Sequence, residues 1–442
     1  MKYDVAIVGA GSAGLFAALE LAETNLKVIV LEAGLSPKAR TSITSGVGGA
    51  GTFSDGKLNL NSKIGGNPAA IGCTPAELDA LIERVDAEFT RCGAPAQYSG
   101  EDAETLSQLK QSASQAGIEF IAGRQRHIGT VTIREVIDTL YHDLMDRGIE
   151  FRLDCRVESI ESIDNGFRLA ISDGSIDSKY VIAAPGRVGA YWLREQARNL
   201  GVGPSFGPLD IGVRVEFPAE LYQSIERVMY DAKLRVRTST YDDMVRTFCT
   251  NPRGFVVRED HEGFVLVNGH AENKRKSDNT NFALLAHMEL TDPVEDTTQY
   301  GRAVAELATT IGGGKPILQR LKDLQQGRRS TMDRIRRLPI QPTLEEVTPG
   351  DISIALPQRI VVNLLEAIDR LDRIMPGLAA DSTLIYAPEI KFYDTRYSVQ
   401  AGMETALNGF YVAGDASGHS RGIVFSAVTG IYAAQHIAKR AG

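Results

Sequence analysis

Gly9-Ala10-Gly11-Ser12-Ala13-Gly14 decides how this chain folds. The hexapeptide follows Tyr3–Val8 (YDVAIV), an apolar run that reads as a buried strand. It opens a segment, 12–24, that places Leu15, Leu19 and Ala22 on one helical face. A second strand, 27–31 (KVIVL), comes next, so the order is strand, helix, strand and a parallel sheet is expected. Each glycine of a GxGxxG turn has its own physical reason. Gly9 permits the tight turn, Gly11 lets a pyrophosphate approach the backbone, and Gly14 lets helix and strand pack closely. The helix N-terminus at Ser12 and Ala13 offers free N–H groups and a partial positive charge to phosphates. Glu32, beside Ala33, ends the second strand 18 residues after Gly14, where an acid can hold a ribose diol. The motif alone does not separate one dinucleotide from another.

Outward from this motif, a Gly/Ser/Thr-rich loop runs from about 41 to 66. Helices are expected over 75–91, 102–116 and 132–147, and strands over 149–154, 167–171 and 180–184. After residue 205 the texture changes. Segments 210–217, 234–240, 244–249, 254–258, 263–268 and 282–290 read as strands of an antiparallel or mixed sheet. Helical pattern returns over 295–311, 316–325 and 357–374, and the chain closes on strand, glycine turn, helix. Across 442 residues, 43% are hydrophobic and 24% charged, ordinary values for a chain that buries a large core. Lys plus Arg number 48 against 56 Asp plus Glu, a net charge of −8 that gives no support to nucleic-acid binding. MKYDVAIVGAG has no apolar leader and no stretch reaches membrane-spanning length, so a cytoplasmic location is expected. Cys73, Cys92, Cys155 and Cys249 are far apart, with neither a CxxC pair nor a metal-binding spacing.

The C-terminal segment identifies the dinucleotide. Phe410–Ala413, Gly414-Asp415 and the helix from Arg421 to Lys439 resemble the closing GD motif of the glutathione-reductase-type flavoproteins. The resemblance implies FAD, with Asp415 on the ribityl chain and Gly422-Ile423 at the flavin ring. Cys155–Ile160 looks like the segment whose Val157 contacts the adenine. Val181–Gly186, containing Ala184 and Gly186, looks like the superfamily's ATG segment, with Pro185 replacing Thr. A closer likeness is to a family of FAD-dependent dehydrogenases. It is carried by Gly48–Leu58, Arg126–Thr130, Gly312–Pro316 and Pro388–Tyr393, and it covers nearly the whole chain.

That reading implies an α/β fold: a discontinuous Rossmann-like FAD-binding domain with an inserted α+β substrate domain on a mixed or antiparallel sheet. The expected parts are FAD domain over 1–65, a helical insertion over 66–125, FAD domain again over 126–204, a substrate domain over 205–385, and FAD domain over 386–442. The function implied is hydride transfer between flavin and a small organic substrate, as a dehydrogenase or reductase. A flavoprotein with structural FAD and an assembly role is the alternative. Glycine-rich loop 46–57, with Gly49, Gly51 and Thr52, is expected to cradle the flavin, and Lys57 to face reduced flavin or an acidic substrate. His127, Lys391, Tyr393, His419 and Arg421 are the other catalytic candidates, the last two because they precede the closing helix. The run Arg328, Arg329, Arg334, Arg336, Arg337 is expected to be a solvated face. No second GxGxxG follows residue 205, so NAD(P)H is expected only as a transient reductant.

Overall fold

The structure is a computed structural model that describes residues 2–442 except 43, 54–55, 130, 272–274, 291–295 and 393–394. In chain order it begins with β1 (Tyr3–Val8), α1 (Ser12–Leu21), β2 (Val28–Leu31), β3 (Lys57–Leu60) and α2 (Pro75–Arg91). Next come α3 (Ala103–Gln115), β4 (Ile118–Ile121), β5 (Arg124–His127) and α4 (Thr132–Asp146). β6 (Glu150–Arg152), β7 (Val157–Ile163), β8 (Gly166–Ile171), β9 (Gly174–Ala183), α5 (Ala190–Asn199) and β10 (Pro204–Ser205) follow. The middle of the chain holds β11 (Leu209–Pro218), α6 (Gln223–Glu226), β12 (Lys233–Arg237) and β13 (Met244–Asn251). It continues through β14 (Phe255–His261), β15 (Phe264–His270), β16 (Asn279–Met288), α7 (Thr297–Ile311) and β17 (Ile317–Arg320). The last elements are α8 (Leu321–Gln325), α9 (Met332–Arg336), β18 (Thr348–Pro349), α10 (Gln358–Leu371), β19 (Leu384–Phe392), β20 (Arg396–Tyr397), β21 (Phe410–Val412) and α11 (Ile423–Ala441).

These elements form two compact units. The first comprises Met1–Tyr98, Gly123–Gly207 and Asp394–Gly442. Its seven-stranded sheet runs β6-β2-β1-β9-β8-β7, with β21 also on β9. β6, β2, β1, β9 and β21 are parallel, and β7–β8 is an antiparallel meander on the early half of β9. β1 and β2 are apolar and almost wholly buried, as parallel strands covered on both faces must be. Helices α1 and α11 pack closely because glycine permits it: a Cβ at Gly430 would stand 2.0 Å from the Ala13 carbonyl oxygen.

The second unit comprises Ser99–Ala122 and Pro208–Tyr393. Its eight-stranded sheet runs β18-β17-β19-β11-β16-β13-β12-β4 and is antiparallel except for β17–β18. The hairpin β14–β15 belongs to this unit too.

Three expectations need correction. Segment 66–125 is not one helical insertion. Leu78, Ile82, Val85 and Phe89 of α2 enter the core around α1, whereas Ala113, Ile118 and Phe120 enter the core of the second unit. Residues 386–392 do not return to the FAD domain, because β19 pairs β11 inside the second sheet. Segment 316–325 starts as a strand, its Ile317 and Leu318 fully buried against β19, and becomes helical only at Leu321. Among the described residues no helix is long and apolar enough to cross a membrane.

Candidate functional site: a dinucleotide crevice

The ends of β1, β2, β9 and β21 carry the predicted cofactor residues. Gly9 has φ +99°, and a Cβ there would lie 2.3 Å from the Ala184 carbonyl oxygen. At Gly14 a Cβ would lie 1.9 Å from the Gly9 carbonyl oxygen. The fold itself requires both glycines. Gly11 differs: its φ is −72°, and the atom nearest a Cβ would be Gly49 Cα at 3.9 Å. The protein leaves open the volume that a side chain at 11 would take. No side chain caps α1 at Gly11 or α11 at Gly422. Around a Cβ at Gly186 or Gly422 there is nothing within 4 Å.

Loop 46–53 folds back onto this crevice. Gly48 N–H donates to the Ala10 carbonyl at 2.8 Å, and Thr52 Oγ1 donates to the Gly48 carbonyl at 2.6 Å. Gly51 abuts the start of α11, where its Cβ would meet Ile423 Cγ1 at 3.0 Å. Gly414 brings β21 to α1, its Cβ position 3.1 Å from Ala13 Cβ. Ser54 and Asp55 of the loop, like Thr130 and Tyr393, lie outside the described residues.

Glu32 is buried and busier than its motif suggests. Its Oε2 accepts from Ala10 N–H at 2.8 Å, and its Oε1 from Gly34 at 2.8 Å and Gly46 at 2.9 Å. Ala33 lies between two of these anchor points. Cys155 N–H donates to the Glu32 carbonyl and Asp154 N–H to that of Gly34, which sets the start of β7 at Val157 beside the same turn. Arg40, which nothing in the sequence singled out, is buried and donates to the carbonyls of Ser42, Gly46, Val47 and Gly49. Burial pushes this guanidinium down to about 10, Glu32 opposing the shift and Arg134 adding to it.

Asp415 ends the turn after β21. Its Oδ1 accepts from Ser426 Oγ at 2.7 Å, and Arg187 Nε stands 3.6 Å from its Oδ2. Arg421 turns its guanidinium onto the carbonyls of Asp415 and Ser420 at 3.0 and 2.9 Å, so it builds the turn. His419 is buried, with Nε2 2.7 Å from the Tyr397 carbonyl oxygen. Desolvation lowers its pKa, against the Tyr397 hydrogen bond. Lys57 and His127 stand directly opposite each other on β3 and β5. Arg126 next to them is structural: its Nε and Nη2 clasp the buried Asp86 at 2.7 and 2.8 Å. Lys391 is not part of this unit; it lies on β19, 3.0 Å from Glu389. The basic run is only partly a solvated face, because buried Asp323 gathers Arg328 at 2.7 Å and Arg334 at 3.6 Å together with Arg320.

These residues fit a dinucleotide on three counts: the open volume at Gly11, two uncapped helix N-termini, and a carboxylate held at the end of β21. The model of the family "FAD dependent oxidoreductase" matches residues 4–288, and "FAD-dependent protein, C-terminal domain-like" matches 208–392. No curated protein matches the sequence. Among solved structures, glycine oxidase from Geobacillus kaustophilus is 15% identical, with 99% of this chain and 95% of that one covered and a TM-score of 0.37. Glycine oxidase from Bacillus cereus ATCC 14579 is 15% identical over 99% and 96%, TM-score 0.40. A flavoprotein/dehydrogenase from Cytophaga hutchinsonii is 12% identical over 100% and 79%, TM-score 0.41. The glutathione-reductase-type affiliation is thereby corrected. The matched family model spans the glycine motif and runs into a second unit whose mostly antiparallel sheet does not repeat the parallel βαβ unit. The GD resemblance rested on a turn of a few residues at the end of β21. The chemistry is hydride transfer between flavin and a small substrate, and with well over half its length matched by that one model, the chain belongs to the FAD dependent oxidoreductase family.

Proposed function

We propose that the enzyme is a dehydrogenase of a small organic substrate, with FAD held wholly by the first unit. Gly9, Gly11, Ser12, Ala13 and Gly14 hold the pyrophosphate at the N-terminus of α1. Glu32, Ala33 and the Val157 segment take the adenosine end. A carboxylate has about four lone-pair sites, and Glu32 has three backbone partners, so one site remains for a ribose hydroxyl. Asp415 takes the ribityl chain. Gly49, Gly51, Thr52, Ala184, Gly186, Gly414, Gly422 and Ile423 line the remainder. The observation that carries this reading is the room at Gly11, where among the described residues the atom nearest a Cβ is Gly49 Cα at 3.9 Å.

FAD, when bound, accepts or returns the hydride. The chain's own groups do the rest. The uncapped start of α11 presents its partial positive charge, and Arg421 and His419 hold the turn that aims it. Lys57 offers a cation beside the glycine loop, with His127 opposite it on β5. A cytoplasmic location accords with four unbridged cysteines. Purified protein is expected to be yellow and to release FAD, not FMN, on denaturation. A folded Gly11→Val protein is expected to be colourless, because a branched side chain fills the pyrophosphate's place. Full FAD content in that variant would overturn the assignment.

A further inference from the structure

Residues 320–337 carry seven Lys or Arg against two Asp, inside a chain of net charge −8. A basic run of this kind is ordinarily a solvated face. Here the fold draws three of its arginines onto one point of the second unit. Asp323, in α8, has a fully hidden side chain. Its Oδ2 accepts from Arg320 Nε at 2.5 Å and from Ser330 Oγ at 2.8 Å. Its Oδ1 accepts from Arg320 Nη2 at 3.0 Å and Arg328 Nε at 2.7 Å, and Arg334 Nη1 stands 3.6 Å from the same atom. Burial alone would raise the Asp323 carboxyl, but the hydrogen bonds from Arg320, Arg328 and Ser330 outweigh it and hold it at about 2, so it stays charged.

One carboxylate among three guanidiniums leaves two positive charges over. The neighbouring acids have other partners. Asp333 takes Arg337 at 2.7 Å, Asp381 takes Lys322, and Asp351 accepts from the Ser353 amide and hydroxyl at 2.9 and 2.7 Å. Arg329 and Arg336 are exposed and make no ion pair among the described residues. Setting all four carboxylates, Asp323, Asp333, Asp351 and Asp381, against the seven cations still leaves a surplus of three. Like charges held this close repel one another, and packing alone gives no reason to collect them.

The cluster is also held in place. Ser330 is buried; its Oγ accepts from Arg320 N–H at 3.0 Å and its own N–H donates to the Gly350 carbonyl at 2.9 Å. Gln319 Nε2 donates to the Arg328 carbonyl at 2.9 Å, and Arg334 Nη1 to that of Arg329 at 3.0 Å. Anchoring uses only part of each guanidinium. Arg320 Nη1, both Nη atoms of Arg328, and Nε and Nη2 of Arg334 have no hydrogen-bond partner among the described residues. These side chains are 15, 42 and 38% exposed, so the carboxylate is hidden while the unused donors reach solvent.

We propose that Arg320, Arg328 and Arg334 form a binding site for a phosphoryl dianion, either the free ion or the phosphate of a small ester. A phosphate monoester carries about −1.5 to −2 charges at pH 7 and three acceptor oxygens, which matches two surplus charges on three guanidinium forks. A lone carboxylate would neutralise half of that surplus. Guanidinium forks suit phosphate oxygens, and arginines already fixed on Asp323 lose little further freedom on binding. Asp323 is the positioning residue. The site lies wholly within the second unit and does not depend on the dehydrogenase reading.

The test is calorimetric titration at constant ionic strength, on FAD-loaded protein so that the dinucleotide crevice is filled. The probes are inorganic phosphate, phenyl phosphate and the monoanion dimethyl phosphate. Both dianions should bind, and dimethyl phosphate at least about 10-fold more weakly. Tighter inorganic phosphate supports the free ion as the ligand, and tighter phenyl phosphate supports the ester. Arg328→Gln and Arg334→Gln should each weaken binding at least about 10-fold, the loss of one charge-assisted contact. Arg337→Gln, which frees only Asp333, should stay within about 2-fold of wild type. Arg334→Gln breaks no hydrogen bond to Asp323, so its Tm in phosphate-free buffer should equal that of wild type, while phosphate should raise the Tm of wild type alone. Three results would each overturn the site: no binding of either dianion to wild type, equal affinity for the monoanion, or unchanged affinity in both arginine variants. Protein that holds no FAD would sink the cofactor assignment instead, and the same titrations on it would still decide this site.

Discussion

At the residue scale, the glycines of the opening motif divide into two kinds. Gly9 and Gly14 are demanded by backbone atoms at 2.3 and 1.9 Å, whereas Gly11 faces open volume. Alanine at 9 or 14 should therefore cost stability, about 1–3 kcal/mol or more for an overpacked position, read as a lowered Tm in the apoprotein. Gly11→Ala should leave the apoprotein's stability within about 0.5 kcal/mol of wild type, the range of a harmless substitution, while FAD affinity falls. Equal loss of stability in all three variants would show that Gly11 also serves the fold. Arg40 makes the complementary prediction. Arg40→Met strips a donor from the carbonyls of Gly46, Val47 and Gly49; Gly46 keeps the Gly49 N–H and Gly49 the Thr52 hydroxyl, so the cost of about 1–3 kcal/mol for an unsatisfied buried group falls on Val47. Loop 46–53 should loosen, and amide exchange of Gly48 and Thr52 should accelerate before the sheet's does.

At the scale of elements, the joint between α2 and β5 rests on a charge pair. Asp86 and Arg126 are both nearly inaccessible, and Tyr98 adds its hydroxyl to the same carboxylate at 2.6 Å. Asp86→Asn should destabilise by about 3–5 kcal/mol, since it leaves a buried guanidinium without its counter-charge. The flavin spectrum of the fraction that stays folded should be unchanged, because neither residue faces the crevice glycines. A spectral shift without loss of stability would place Arg126 at the cofactor instead. On the central strand of the second unit, Asp210 gives a pH prediction. Burial alone would raise its pKa, but Arg246 and the His287 hydrogen bond outweigh it and hold it at about 2, against an ordinary 3.8. A depressed carboxylate stabilises the fold above its unfolded value and loses that contribution as pH falls. Here the contribution is about 2 kcal/mol, fully present above about pH 4 and gone by about pH 2. Urea titrations across this window should show it, and Asp210→Asn should flatten the dependence.

At the scale of the whole molecule, one nucleotide-binding sheet and one mostly antiparallel sheet share the chain. Among the described residues the second large sheet does not repeat the parallel βαβ crevice that holds a dinucleotide. Anaerobic stopped-flow with NADPH should accordingly give slow reduction that does not saturate. Fast, saturable reduction would mean that a nicotinamide site exists on a surface of another design.

Read alone, the sequence determined what depends on neighbours along the chain. The GxGxxG turn, the strands around it and the acid 18 residues on are local, because turn geometry and strand burial act over a few residues. The closing Gly414-Asp415 turn was legible for the same reason. The superfamily was misread because the resemblance rested on a short turn, and the part of the chain that discriminates, the second sheet, has no short motif. Tertiary structure alone showed what two of these glycines meet: the Ala184 carbonyl, far away in sequence, at Gly9, and open volume at Gly11. It also decided that Lys57 meets His127, and that Asp210 meets Arg246, His287 and Lys391. Those partners lie on separate strands, and only strand register, set by which face of each strand is apolar, brings them side by side.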